Sequence, residues 1–378
     1  MVERRLKICY YVSDYGMGHA TRCVAVIRGI TEYFKDAEFI IKTSKSPEFF
    51  FNSLDGYNIR VVSQNNDVGV ILEPGTLEVD KTGTYSLFKD WMRSWPEFIS
   101  TETAFLTDEG VDLVISDIVP QAFTASAKAE IPSVAVSNFT WHIVFSGLFG
   151  DDDPDVIRIK DAYACADSAL VLPFNEPMDV FENKKEISLI TRKVTEDLKF
   201  KAGISDEFVI FLNLLNIEDN IPELLFDIPG VKILLPFNSG LNISNSVKIP
   251  KSETESQNWI AMCDLVVTKT GYSTISEAVS NGVYTLVLRR DGFAEDEWVI
   301  NEVSKNGFGE EISIEDLYAG DWILDFKSGS RLRRKSKSRL TVQNKDYNYV
   351  NDGTIQVVDE IRKLMRLDHN GIRSLMKI

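Results

Sequence analysis

Short apolar runs alternate along this chain with stretches whose apolar residues recur at helical spacing. The first run, residues 6–12, has the composition of a buried strand, and a glycine-containing turn separates it from a helix predicted over 19–34. The N-terminal half continues in this way, with further strands predicted at 38–43, 58–62, 112–116, 133–137 and, last, 168–172. Strands that alternate with helices at this spacing predict an α/β fold with a parallel, doubly wound sheet.

The second half of the chain repeats this scheme after a stretch with little periodicity. Residues 175–205 contain Pro177, a charged run and Gly203, so we place a domain boundary there. Beyond it the pattern predicts strands at 208–212, 231–235, 247–249 and 284–288, and helices at 219–226, 255–262 and 353–366. The prediction is therefore two Rossmann-like domains, 1–190 and 191–350, facing a cleft, with a helix in 351–378 packed across the boundary.

Length and charge narrow the class of protein. At 378 residues the chain exceeds the roughly 250 to 300 residues that one hydrophobic core supports. Its net charge of −16 opposes nucleic acid as a partner, because phosphates would be repelled. No run of about 18 apolar residues and no secretory signal occurs, so we expect a cytoplasmic protein. Four scattered cysteines and three unclustered histidines predict reduced core thiols and no metal site.

Three polar stretches have ordinary explanations. Residues 64–83 lack periodicity, which suits a surface loop beside a site. Asp151–Asp153 precede a predicted helix and fit a solvated N-terminal cap better than a metal cluster. The basic run Arg331–Arg339 could make a weak contact with an anionic membrane surface or clamp a polyanion, although a solvated loop fits it better.

The stretch 264–278 combines a short apolar strand, a turn and the start of a helix. A helix that opens at Ser273 and Thr274 offers unpaired N–H groups and the positive end of its dipole to a phosphate. Gly271 would allow close approach, and Glu277 could reach a ribose hydroxyl. Thr274 and Glu277 also fit the spacing of an ordinary capping box, so spacing alone leaves both interpretations open.

The first glycine turn is a candidate for acid–base chemistry. Gly16 and Gly18 resemble the start of a dinucleotide fingerprint, but Thr21 stands where a third glycine is needed, which disfavours a nicotinamide cofactor. His19 lies at a helix start, where the dipole favours a neutral ring that can accept a proton. Asp117 ends a strand of the same predicted sheet and could orient that ring. The alternative is a lone surface histidine and a capping aspartate.

Taken together, several motifs resemble one family over roughly residues 6 to 365. They are 16–22 (GMGHATR), 116–120 (SDIVP), 137–141 (SNFTW), 269–278 (KTGYSTISEA) and 289–291 (RRD). In this order they look like the glycosyltransferase-like N-terminal region of L-arabinokinase, which belongs with the GT-B glycosyltransferases. The resemblance implies a GT-B architecture and transfer of a sugar from a nucleotide-sugar, UDP-linked in the simplest case, to a hydroxyl acceptor. It implies an inverting reaction without a metal or a further cofactor.

The resemblance also implies roles for particular residues. His19 matches the histidine that removes the acceptor proton, and Asp117 matches the aspartate that steadies it. The donor-binding positions are Lys269, Gly271, Ser273, Thr274, Glu277 and Arg290. Positions expected near the donor sugar or the acceptor are Gly16, Gly18, Arg22, Asp291, Glu295 and Asp296.

Two departures from the GT-B pattern keep other functions open. The turn at 213–216 (NLLN) lacks the glycines that admit the diphosphate, and 295–298 (EDEW) replaces the usual sugar-reading Asp-Gln pair. One alternative is a sugar-nucleotide 2-epimerase of the same fold, which would need several carboxylates around the sugar. The other is a non-catalytic nucleotide-sugar-binding protein, which the missing glycines favour.

Overall fold

A computed structural model describes residues 5–45, 47–214, 217–222, 226–329 and 352–366. These residues form two compact units. The first contains the described residues up to Ile71, Asp80–Ile190 and 352–366, and the second contains Leu72–Val79 and the described residues from 191 to 329. The basic run Arg331–Arg339 lies outside the described residues.

The first unit is built on a seven-stranded sheet in which every pair of neighbouring strands is parallel. Its strands are β1 (Lys7–Val12), β2 (Glu38–Lys42), β3 (Ile59–Val62), β4 (Leu113–Asp117), β5 (Ser133–Ser137), β6 (Ser168–Val171) and β7 (Lys184–Glu186). The order is β3-β2-β1-β4-β5-β6-β7, so the direction of winding reverses between β1 and β4. The predicted doubly wound parallel sheet is confirmed.

Helices connect these strands. They are α1 (Met17–Tyr33), α2 (Pro47–Ser53), α3 (Lys81–Asp108), α4 (Pro120–Lys128), α5 (Trp141–Phe149) and α6 (Pro154–Tyr163). Helix α3 is continuous through Pro96, and the Asp80 carboxylate caps its start by accepting the N–H of Gly83 at 2.9 Å. Helix α1 buries Val24, Ile27 and Ile30, which recur at helical spacing as predicted, whereas Phe34 follows the helix as its C-cap and is partly exposed.

The second unit repeats the architecture with a six-stranded sheet of parallel pairs. Its strands are β8 (Phe208–Asn213), β9 (Val231–Leu235), β10 (Ser246–Lys248), β11 (Leu265–Lys269), β12 (Tyr284–Leu288) and β13 (Gly309–Glu311). Its helices are α7 (Ser256–Ala261), α8 (Tyr272–Ser280), α9 (Glu295–Lys305), α10 (Ile314–Ala319) and α11 (Asp321–Lys327). The order β10-β9-β8-β11-β12-β13 reverses between β8 and β11.

Two segments group with units that are distant in sequence. Helix α12 (Gly353–Met365) packs on α1 of the first unit, where a Cβ added at Gly29 would overlap the Thr354 side chain. Segment Leu72–Val79 groups with the second unit, and Leu77 is buried in its core. The Val79 N–H donates to the Asp291 carbonyl at 3.1 Å, and the Asp291 N–H donates to the Leu77 carbonyl at 3.0 Å.

Several local predictions were wrong. In place of the predicted helix at 219–226 the structure has a 3₁₀ turn at Glu218–Asn220, with 223–225 outside the described residues. The strand predicted to be the last of the first sheet is followed by one more, β7. The sequence pattern does not predict β7, because its three residues are charged and exposed. Cys165 is exposed, whereas Cys9, Cys23 and Cys263 are core thiols. Among the described helices, none is both long and apolar enough to cross a membrane.

Candidate functional site

The first candidate site lies where the winding of the first sheet reverses. Strands β1 and β4 are paired with Val12 opposite Asp117, so the loop after β1 and the end of β4 meet at the carboxyl edge of the sheet. Ligands bind at this edge in doubly wound sheets. Gly16 follows β1 with a φ of 89°, a conformation that favours glycine, and helix α1 then begins at Met17. Gly18 is exposed in the first turn of that helix.

The structure brings His19 and Asp117 together. The Nδ1 atom of His19 lies 3.1 Å from Oδ2 of Asp117 and 3.2 Å from Oδ1. Both residues are buried, and Asp117 has no exposed surface. The lone surface histidine and capping aspartate, the alternative left open by the sequence, do not describe this arrangement.

Arg22 completes this cluster from the next turn of α1. Its Nη2 pairs with Asp117 Oδ1, its Nε lies 3.3 Å from Oδ2, and its Nη1 donates to Asn138 Oδ1 at 2.7 Å. Burial opposes ionisation of Asp117, but the charge of Arg22 and the hydrogen bonds from His19 and Arg22 outweigh it, so the pKa of Asp117 lies below its usual value. The aspartate is therefore an ionised acceptor at neutral pH.

That ionised acceptor determines the tautomer of His19. A lone pair on Nδ1 would face both carboxylate oxygens, whereas a proton there is donated to them. The guanidinium Nη2 of Arg22 also lies 3.0 Å from Nδ1 and carries a second N–H, but a proton on Nδ1 meets two ionised carboxylate oxygens, which are stronger acceptors than a neutral ring nitrogen. With the proton on Nδ1, the Nε2 lone pair is the one that can accept a proton.

Sequence reasoning missed two buried carboxylates beside this cluster. Asp14 accepts the hydroxyl of Thr43 at 2.8 Å and the N–H of Ser44 at 2.9 Å, which ties the loops after β1 and β2 together. Asp67 accepts the N–H of Asp14 at 2.8 Å and the indole N–H of Trp141 at 2.8 Å. Burial raises the pKa of Asp67 to about 6, against the hydrogen bond from Trp141.

The position of Asp67 corrects the prediction of a surface loop at 64–83. Asn66 and Asp67 are buried, and the Asn66 side chain donates to the carbonyls of Val12 and Lys42 at 2.8 Å. Polar residues without periodicity look like a surface loop, because a sequence does not show which backbone carbonyls they satisfy. The one sequence feature that could have indicated a site here is the position of this stretch directly after β3.

The second candidate site lies at the carboxyl edge of the second sheet, where β11 ends at Lys269. Helix α8 begins at Tyr272 with Gly271 as its N-cap, a residue that has no side chain to cap the helix. Thr274 is therefore inside the helix, and the capping-box interpretation is wrong. Ser273 and Thr274 lie in the first turn and are half-buried. The start of a helix with this geometry presents positive charge to an anion.

Lys269 adds a cation at this edge. Its ammonium has no hydrogen-bond or ion-pair partner among the residues that the structure describes. Burial lowers its pKa, and the charge of Arg290 lowers it further. Gly271 has an ordinary extended conformation, and an added Cβ would meet only the Lys269 carbonyl at 3.6 Å. The backbone at this position therefore does not require glycine. Close approach of a ligand is a reason for glycine here that the conformation does not already supply.

Other predicted donor residues are engaged in ion pairs. Glu277 is buried against Arg192. Arg290 donates to the carboxylates of Asp296 and Glu295 and lies 3.8 Å above the Phe293 ring. Burial raises the pKa of Asp296 although the guanidinium opposes this.

Asp291 is exposed, and its backbone pairs with the segment Leu72–Val79 described above. Within the described part of the chain, no group of three or more His, Cys, Asp or Glu side chains is arranged to hold a metal ion.

The two sheets, their reversal points and the glycine turns define the GT-B fold, and comparison with solved structures confirms it. A UDP-glucosyltransferase from Polygonum tinctorium capable of glucosylating indoxyl superimposes with a TM-score of 0.65 at 12% identity, over 96% of this chain and 99% of that one. UGT2 of Phytolacca americana, solved with UDP-2fluoro-glucose and pterostilbene, gives 0.62 at 13% identity, over 94% and 99%. An anthocyanidin 3-O-glucosyltransferase in complex with UDP gives 0.63 at 12%, over 96% and 100%.

Sequence comparison is more specific than these structural matches. The chain is 27% identical over 333 residues to L-arabinokinase of Arabidopsis thaliana, which confirms the resemblance to that protein. The match covers 85% of this chain and 32% of the relative, so the chain spans about a third of that protein's length. No protein-family model matches the chain.

Proposed function

We propose that this chain is a glycosyltransferase that moves a sugar from a nucleotide-sugar to a hydroxyl acceptor, with inversion at the anomeric carbon. The observation that carries the proposal is the buried contact between His19 and Asp117 at the reversal point of the first sheet. A histidine held in this way accepts protons at Nε2, which is what a hydroxyl nucleophile requires. The anion site beside α8 supports a phosphate-bearing donor on the second unit.

In the proposed step the acceptor oxygen attacks the anomeric carbon from the face opposite the leaving group. The acceptor proton passes to Nε2 of His19, and Asp117 stabilises the resulting imidazolium. The bond between the anomeric carbon and the diphosphate oxygen breaks, and the electron pair leaves with the nucleoside diphosphate. One displacement of this kind inverts the anomeric configuration.

The leaving diphosphate needs positive charge, and the second unit supplies it from its own groups. The start of α8 and the Lys269 ammonium lie at one sheet edge, and no carboxylate of the described residues forms an ion pair with Lys269. These groups stabilise charge as it develops on the leaving group, so the proposed chemistry needs no divalent ion and no cofactor. Glu277 is the proposed acceptor for the ribose hydroxyls.

The structure argues against one alternative function and favours the other. A 2-epimerase needs carboxylates around the sugar, but Glu295 and Asp296 are paired with Arg290, which argues against that reaction. A non-catalytic nucleotide-sugar-binding protein is favoured by Asn213, which ends β8 where GT-B enzymes place glycine. Its Oδ1 atom is buried and has no hydrogen-bond partner among the described residues.

The test is a panel of nucleotide-sugars differing in base and sugar. A donor that binds the native state raises its melting temperature, so thermal shifts identify the donor first. Mass spectrometry then follows sugar transfer to a panel of hydroxyl acceptors with the wild type and with His19→Ala. Transfer by the wild type that His19→Ala abolishes supports the proposal. Donor binding with no transfer to any acceptor supports the non-catalytic alternative, and product formed without an acceptor supports the epimerase.

A further inference from the structure

Glu277 is held by a residue that the sequence does not connect with it. The Nε atom of Arg192 donates to Oε1 of Glu277 at 2.9 Å, and its Nη2 donates to Oε2 at 3.2 Å. The two side chains are 1% and 5% exposed. This is a bidentate, buried pair within the second unit, and planar pairing of this kind fixes the carboxylate orientation.

Two further donors of Arg192 are also used. Its Nη1 donates to the Thr254 carbonyl, and its Nη2 donates to the Ser256 hydroxyl at 2.8 Å. The guanidinium is thus fixed by the segment before α7 and by the first residue of that helix. It is fixed independently of Glu277, so it acts as a rigid support for the carboxylate on α8.

The carboxylate keeps acceptor capacity after this pairing. An ionised carboxylate has about four lone-pair positions, and the guanidinium fills two of them. The other two suit a pair of hydroxyl donors held at a fixed separation, and a ribose carries such a pair at its 2′ and 3′ positions.

We infer that Arg192 is a positioning residue that makes Glu277 selective for ribonucleotides over 2′-deoxyribonucleotides. This inference rests on the proposed function, in which Glu277 accepts the ribose hydroxyls. It deepens that function by specifying the sugar of the nucleotide and by assigning the selectivity to a pair of residues rather than to Glu277 alone. Arg192 itself does not need to touch the ligand.

The experiment compares binding of UDP and 2′-deoxy-UDP by calorimetry. We expect the wild type to bind UDP at least about tenfold more tightly, because a hydrogen bond to a charged acceptor is lost with the 2′-hydroxyl. Arg192→Lys keeps the charge but not the bidentate support, and should bring the ratio of the two dissociation constants close to one. Its affinity for 2′-deoxy-UDP should fall less than its affinity for UDP, because 2′-deoxy-UDP loses only the contact of its 3′-hydroxyl with Glu277 whereas UDP loses two such contacts.

Arg289→Lys is the matched control, because Arg289 pairs with Glu297 and Glu311 on the same unit but is partly exposed. It should leave the ratio unchanged. A purely structural role of Arg192 predicts equal weakening of both nucleotides, and that result, or an unchanged ratio, overturns the inference. Should Arg192→Lys not fold, Ser256→Ala decides: a ratio reduced about threefold or more supports the inference, and an unchanged ratio overturns it.

Failure of the inference is distinguishable from failure of the proposed function. A wild type that binds neither nucleotide contradicts both. A wild type that binds the two equally removes the ribose role of Glu277, and the inference with it. A wild type that discriminates while Arg192→Lys discriminates equally well removes only the role of Arg192.

Discussion

The Oδ2 atom of Asp117, at the end of one strand, lies 3.1 Å from Nδ1 of His19, in the first turn of the helix that follows the neighbouring strand. This contact exists because β1 and β4 are neighbours at the point where the sheet reverses. It leaves Nε2 as the basic atom of the ring, and the proposed chemistry depends on that tautomer.

Replacing Asp117 by asparagine tests this dependence. Asparagine no longer stabilises an imidazolium, and it can favour the wrong tautomer by donating to Nδ1. We expect Asp117→Asn to lower kcat by about 10²- to 10⁴-fold, with the affinity for the donor unchanged within about twofold. Steady-state kinetics give the first quantity and calorimetry the second. His142→Gln, at a half-buried histidine on α5, is the control and should retain activity. Full activity of Asp117→Asn would contradict the assigned role.

Lys269 should contribute to phosphate affinity and not to nucleoside affinity. Because its ammonium is partly desolvated and unpaired within the described residues, a phosphate regains interaction energy that water does not supply. We expect Lys269→Met to weaken UDP binding about tenfold or more, as measured by calorimetry, and to leave uridine binding unchanged. Lys305→Met, at an exposed lysine of α9, should change neither. An equal loss of affinity for UDP and for uridine would show that Lys269 acts by stabilising the fold and not by binding phosphate.

Asp67 should make stability depend on pH with the opposite sign to an ion-paired aspartate. Its folded pKa of about 6 lies above the ordinary value of an aspartate, so the folded state holds the proton more tightly than the unfolded chain does. Stability is therefore lost as the pH rises from about 4 through 6.

The comparison is with Asp67→Asn, which cannot ionise. Relative to this variant, the free energy of unfolding of the wild type should fall by up to about 3 kcal/mol between pH 4 and pH 7. Urea unfolding followed by tryptophan fluorescence at several pH values measures the difference. Parallel pH profiles for the two proteins would show that Asp67 titrates normally.

The packing of α12 on α1 depends on a glycine. A side chain at Gly29 would overlap Thr354, so Gly29→Ala should destabilise the protein by about 1 to 3 kcal/mol despite its better helix propensity. Thr354→Ala removes the overlapping atoms except Cβ. In the double variant part of the loss should be recovered, with a coupling of at least about 0.5 kcal/mol in unfolding free energy. Additive effects would place the two residues out of contact.

The sequence predicts the repeated β/α order well because parallel strands buried on both faces are continuous apolar runs, as at Ile8–Val12. It predicts His19 and Asp117 as partners for the same reason. Once the strands are assigned, residues that follow the carboxyl ends of strands in one sheet are expected to lie at the same edge. Strands β7 and β13 escape prediction because they are short edge strands whose residues satisfy backbone hydrogen bonds without an apolar side-chain pattern.

The partners of the site residues are the part that sequence could not supply. Arg192 lies in the stretch where periodicity fails, and its contact with Glu277 spans 85 positions. Asp67 lies in a polar stretch that gives no sign of burial. An ion pair or a buried carboxylate depends on three-dimensional proximity, and neither leaves a period in the chain.

The position of Leu77 in the chain limits where this protein can be cut into separate domains or recombined with another protein. The second unit is not one continuous stretch of the gene: its core includes Leu77, which is encoded within the first half of the chain. A fragment that starts at the boundary near residue 190 would lack this side chain and the backbone partner of Asp291. The two halves therefore cannot be exchanged with those of another protein by a single crossover at that boundary without also transferring the eight residues from 72 to 79.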